Sequence, residues 1–288
     1  MENSLCRRPT GRQYRYSMLM KGLTWLSALV TLAMLLLIIV YVLVKGIPHL
    51  SPALFSPTYT SENVSLLPAI VTTVQMTLCS LLIAVPLGVL TSVYLVEYAR
   101  RGSRVVAVIR LTAETLSGIP SIIYGLFGML FFVTSLQWGL SVLSGALTLS
   151  IMILPLIIRT TEEALQSVPD LFREASFGLG AGRLRTVFRV VLPSAVPGVL
   201  GGVILGIGRI VGETAALLYT AGTVPQMSQS LMNSGRTLSI HMYVLSSEGL
   251  HTDQAYATAV VLLVLVLGIN TLAAMVAKGL ANAQNRKG

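Results

Sequence analysis

Charge is what this 288-residue chain has least of: Asp, Glu, Lys and Arg together make up 11% of it, against about 25% in ordinary soluble domains. Too few charges are present to coat a globule of this size. With 54% apolar residues, that excludes an ordinary cytosolic enzyme and a disordered chain alike. Cysteine is scarce as well. Cys6 in a basic tail and Cys79 in an apolar run are too few and too badly placed for a disulfide framework. The chain has no G-x-x-x-x-G-K-[ST] phosphate loop, so it cannot itself be that kind of ATPase. It has no catalytic Ser/His/Asp or Cys/His arrangement and no internal repeat. His241 and His251 stand ten apart without a ligand cluster, so no metal site is expected. What remains is hydrophobicity, at a mean hydropathy of +0.78. The expectation is an all-α polytopic membrane protein with lipid as its surroundings, and not itself a catalyst.

Helices cross hydrocarbon in about 20 residues. Residues 23–44 form an uncharged run of that length behind a basic tail, 1–22. A signal peptide would have a core of about 7–15 residues and a small-residue cleavage site. This run is longer and ends in Val44-Lys45-Gly46-Ile47-Pro48, so it reads as an uncleaved anchor. An outer segment, 45–65, separates it from the rest. The next run is 63–96. Residues 115–158 suffice for two spans, with Thr134-Ser135-Leu136-Gln137-Trp138-Gly139 as the turn between them. A fifth span starts near 190–208 and a sixth covers 254–277. Six spans are expected: an appended first helix, then a five-helix unit over 66–277, then a tail, 278–288.

The net charge of +9 reports topology here rather than nucleic-acid binding. The N-tail, the 97–111 loop, the 159–190 loop and the C-tail hold 17 of the 20 Lys and Arg, while the opposite segments hold only Lys45 and Arg236. Both termini are therefore expected in the cytoplasm.

The 159–190 loop is no plain linker. Pro169 and Asp170 suit a helix start, and Gly178, Gly180 and Gly182 mark its end. Leu171, Phe172 and Ala175 form an apolar edge. So short a helix is unstable alone; either it packs on this chain or it is a knob for a partner. Glu174-Ala175-Ser176, Gly180 six after the Glu, and Val190-Val191-Leu192-Pro193 resemble the EAA loop of ABC-importer permeases. Ser176 and Val190 are mild departures, and the spacing is intact. The resemblance implies the type I ABC importer permease fold, with a coupling helix that docks on a separate ATPase dimer through Leu171, Phe172, Glu174, Ala175 and Gly180. By that reading this chain binds no cofactor and its partner uses the ATP. Gly198, Gly202 and Gly206, like Gly208 and Gly212, recur at i, i+4 and suit close helix packing.

Arg209 and Glu213 lie four apart near the far end of the fifth span. On a continuous helix they share a face, and Arg209 sits about 25 Å from its start. An ionised side chain at mid-membrane costs about 2.5–3.5 kcal/mol, so such residues face a bundle interior or a wet cavity. One reading is a self-satisfied pair locking two helices. The other, preferred here, is a pathway pair in which Glu213 holds the Arg209 fork until an oxyanion displaces it.

Tyr94-Leu-Val-Glu97-Tyr98, Pro120-Ser-Ile-Ile-Tyr-Gly-Leu-Phe127, Ile158-Arg159-Thr-Thr-Glu162 and Arg209-Ile-Val-Gly-Glu213-Thr-Ala-Ala resemble phosphate-specific (Pst) transporter permeases, more the A-type than the C-type. That resemblance implies phosphate passage by Arg209 and Glu213, with Arg159 as a further candidate. It also implies a second, homologous permease beside this one, an external phosphate-binding protein, and a place in the bacterial inner membrane. Permeases for molybdate, sulfate or phosphonate would suit the same arginine. A stand-alone secondary transporter or channel would need no EAA pattern and would usually show a repeated half.

Overall fold

The computed structural model describes residues 11–100 and 102–285. Cys6, the first ten residues of the basic tail and the last three residues lie outside them. The first helix, α1 (Gly11–Gly46), is longer than the expected 23–44 and absorbs the described part of the tail. Its apolar stretch buries nothing against the chain. It leans on the last helix, where the Tyr41 and Tyr256 rings meet edge to face with centroids 5.9 Å apart. Two short 3-10 turns, Ile47–His49 and Pro52–Phe55, follow.

Helix α2 (Leu67–Val93) runs on into a π-helical turn, Tyr94–Tyr98. Then comes a departure from the third span expected from residue 115, because a helix already starts within the 97–111 loop. The chain forms α3 (Arg104–Ser117) and α4 (Ser121–Gly128), the latter extended by a π-helical stretch to Ser135, and the two halves meet at 102°. The break is Gly118-Ile119-Pro120: proline has no N–H to donate and disfavours a helical residue before it. Helix α3 is two-sided. Val105, Val108 and Leu111 point outward, while Val106 packs with Leu95 and Ile158. The turn at 134–139 lies where the sequence places it, with Trp138 stacked on Phe132.

Helix α5 (Val142–Gln166) is the centre of the bundle, runs parallel to α2 and is bonded to it. The Ser80 hydroxyl donates to the Ala146 carbonyl (3.0 Å) and that of Ser92 to the Ile158 carbonyl (2.7 Å). Next come the short α6 (Asp170–Gly178), α7 (Arg183–Thr186) and, through another π-helical turn, α8 (Leu192–Val211). The expected glycine stripe on α8 packs against α5: a methyl at Gly198 would lie 2.6 Å from Ala164 Cβ, and one at Gly202 would lie 2.7 Å from Thr160 Cβ. Gly208 and Gly212 meet no other helix, so the second stripe is not a packing seam.

The segment after α8 holds structure of its own. Helix α9 (Ala215–Thr220) packs on α4, and α10 (Leu238–Glu248) packs on α2 and the last helix, α11 (Thr252–Asn285). Among the described residues, five helices are long and apolar enough to cross a membrane, and the expected six are reached when the bent α3–α4 pair counts as one span. Below, the end of the bundle holding α6 is called the basic end, and the end holding α10 the opposite end.

Candidate functional site

A cavity of about 630 Å³ opens among α3, α5 and α8. Helix α3 supplies Arg110 and Glu114 to it, α5 supplies Arg159, Glu162 and Glu163, and α8 supplies Arg209. Two of the three arginines are engaged. Arg110 is ion-paired with Glu162, and the same carboxylate oxygen accepts from Gln166 Nε2 at 3.0 Å. Arg159 pairs with Glu163 one turn on at 3.1 Å, and both side chains are about two-thirds exposed, 68% and 64%. An exposed i, i+4 pair contributes only about 0.3–0.5 kcal/mol, so Arg159 is easily released.

Arg209 makes no ion pair and no side-chain hydrogen bond among the described residues. That overturns the expected Arg209–Glu213 pair. The i, i+4 argument needs a helix that continues, and α8 stops at Val211 with Gly212 as its cap. Glu213 lies beyond it, buried, and its Oε1 accepts the Ala216 backbone N–H at 3.0 Å, capping the start of α9. Its carbonyl accepts the Ser239 hydroxyl of α10 at 2.6 Å. Glu213 therefore ties three helix ends together, whereas Arg209 faces the cavity with its fork of donors unengaged.

The basic end carries a second surface. Helix α6 starts and stops where expected, and Gly180 takes a left-handed φ of +81° that a side chain would strain. Its apolar edge is turned outward: Leu171 is 72% exposed and Phe172 50%, with Glu174 and Ala175 exposed beside them. Of the two readings of that edge, packing on this chain is ruled out. Burying Leu171 and Phe172 against another surface contributes about 1.5–3 kcal/mol each. The inward side of α6 is polar, made of Arg173 and Ser176.

Sequence reasoning missed the opposite end. His241 is wholly buried in α10, edge-on to the Tyr59 ring, and Arg236 lies over that ring at 5.0 Å. Loss of hydration and then the Arg236 charge lower the His241 pKa from 6.5 to about 3, against a backbone contact with Val64 that pulls upward. Among the described residues no three of His, Cys, Asp and Glu gather as a metal site would need.

Residues 84–282 match the family described as binding-protein-dependent transport system inner membrane components. The chain belongs to that family. It is 33% identical to the phosphate transport system permease protein PstA of Haemophilus influenzae over 88% of this chain and 91% of that one. It is 35% identical to PstA of Pasteurella multocida, over 88% and 92%. A probable ABC transporter permease of Bacillus subtilis, YqgI, is 39% identical over 67% of this chain and 71% of its own length. In fold, the permease resembles a bacterial ABC transporter that imports alginate (TM-score 0.58, 17% identity, 91% and 98% covered). It also resembles the inward-facing MetNI methionine ABC transporter (TM-score 0.57, 20% identity, 75% and 94% covered). These are type I ABC importer permease folds. The permease is thus a multi-pass inner-membrane transport subunit rather than an enzyme, and membership implies an ATPase and a binding protein as working partners.

Proposed function

We propose that the permease carries inorganic phosphate, delivered by an external phosphate-binding protein, past Arg209. The observation that supports this most directly is the free guanidinium of Arg209 facing the cavity, in a chain whose relatives over most of its length are named phosphate permeases. A planar five-donor fork suits a tetrahedral oxyanion, and burial away from bulk water strengthens the contact. Arg159, released from its weak pair with Glu163, offers a second cationic stop toward the basic end. Glu213 acts as a brace for α8, α9 and α10 and not as a ligand.

The basic end lies in the cytoplasm on this reading, supported by the 17 Lys and Arg of the sequence assignment. The exposed edge of α6, with Leu171, Phe172, Glu174 and Ala175, docks on one subunit of an ATPase dimer. Because each chain has one such helix, a second, homologous permease engages the other subunit. ATP is bound and spent by the ATPase, with no cofactor on this chain. Energy input is needed: against an inside-negative potential of about 100 mV, two negative charges cost about 4.6 kcal/mol to import before any gradient.

The test is radioactive phosphate uptake in cells without other phosphate importers, comparing wild type, Arg209→Ala and Glu174→Lys at matched membrane levels. Uptake is expected to fall about tenfold or more in both, since a charge-assisted contact is worth about 1.5–3 kcal/mol. Only Glu174→Lys releases the ATPase. Unchanged phosphate uptake with loss of molybdate, sulfate or phosphonate entry would reassign the cargo.

A further inference from the structure

The inward side of α6 is built around one arginine that binds three elements at once. Arg173 donates through Nε and Nη2 to Glu97 Oε1 (3.1 and 2.7 Å), through Nη2 to the Leu165 carbonyl (3.0 Å), and through Nη1 to the Val168 carbonyl (2.7 Å) and Asp170 (3.2 Å). Both charged side chains are enclosed, 15% exposed for Arg173 and 9% for Glu97. Salt therefore screens the pair weakly.

Glu97 stands on the π-helical turn that ends α2, where Ala99 N–H reaches back to the Tyr94 carbonyl. Such turns insert a residue and re-aim the side chains beyond it. Here the turn presents Glu97 to α6 and the Tyr98 ring to Arg183 of α7, at 5.2 Å. Helix α6 is also fastened to α7 by the Ser176 and Thr186 hydroxyls, 2.9 Å apart, and α7 continues into α8. So α6 has two kinds of attachment. Chain continuity ties it through Ser167-Val168-Pro169 to α5 and through α7 to α8, which carries Arg209. Arg173 ties it to the end of α5 and to α2, which is bonded to α5 along its length.

We propose that the Arg173–Glu97 pair is the joint through which displacement of α6 reaches α2, so that α2 and the α5 helix bonded to it move together, and the α5 wall of the cavity shifts relative to α8. Both are positioning residues, acting through the helices they join. The proposal rests on the reading of α6 as the ATPase-docking element. Lysine at 173 cannot replace the arginine, because one ammonium cannot span four acceptors held at these angles.

The experiment uses the assembled transporter in proteoliposomes, reading inorganic phosphate uptake and ATP hydrolysis together. With Glu97→Gln the ATPase is expected to co-purify at the wild-type ratio and hydrolysis to continue, while phosphate moved per ATP falls about tenfold. Glu97→Asp, which keeps the charge, is expected to restore most of that ratio. Should Glu97→Gln fail to accumulate, Glu97→Leu with Arg173→Met removes both charges together, a change often neutral for stability, and the same ratio is read. A wild-type ratio in Glu97→Gln or in the double variant would overturn the joint, as would a proportional fall of uptake and hydrolysis or release of the ATPase. If no ATPase co-purifies even with the wild-type chain, the docking reading falls first and the joint with it.

Discussion

Helices α1 and α5 are both long and apolar, yet the apolar stretch of α1 buries nothing and that of α5 is 67% buried. Composition explains the contrast. Helix α1 presents Leu, Ile, Val and Met on every side between residues 29 and 44, while α5 brings Ser144, Gly145, Ala146, Thr148, Ser150 and Thr161 to its contacts. In lipid, apolar surface has no incentive to leave its surroundings, so bulk hydrophobicity does not draw helices together. Small residues let backbones approach, and hydroxyls bond across the gap, as Ser150 does to the Ser80 carbonyl at 3.2 Å. A greasier helix is therefore the outer one.

That contrast is most sharply tested at the tightest seam. Gly202→Leu would drive a side chain into Thr160, and overpacking of this kind costs about 1–3 kcal/mol or more. Membrane abundance and thermal stability in detergent are expected to fall markedly, and a variant that accumulates and melts like wild type would break the packing argument. The next effect is acid sensitivity, which belongs to the buried part and not to α1. His241 titrates at 6.5 when unfolded and at about 3 in the fold, so below 6.5 the unfolded chain takes a proton that the fold refuses. Stability present above 6.5 is then lost as pH falls toward 3, by about 2 kcal/mol at pH 5. Melting temperature against pH should show that slope in wild type and a flatter one in His241→Gln; identical slopes would exonerate the histidine. The smallest effect is on α1: Leu32→Ala, at an exposed position, should change stability by no more than about 0.5 kcal/mol. A larger loss in the isolated chain would mean that α1 packs through a face that stands exposed.

Much of the architecture was legible because its signals are local. Apolar runs located the spans, Pro169 and Asp170 opened α6, and the glycines after it closed it. The bend between α3 and α4 was also written locally, in Gly118-Ile119-Pro120, but the longer polar break at 134–139 drew the reading away from it. The site was half legible. Arg209 stood out as a charge within an apolar run, and it does face the cavity. Its supposed partner failed because spacing presumes a helix, and Gly212 ends that helix one residue before Glu213. Arg173 and Glu97 are 76 positions apart, so no periodicity could have joined them.

The sequence by itself determined which segments are apolar enough to cross a membrane, where the basic residues collect and where α6 begins and ends, since transfer energy and capping act over one turn or one span. Tertiary structure alone decided which edge of α6 faces out, which arginine is left free and which glutamate becomes a brace. A buried polar group takes whatever partner the returning chain brings within 3 Å, and that is settled by how the helices cross rather than by what precedes or follows the residue.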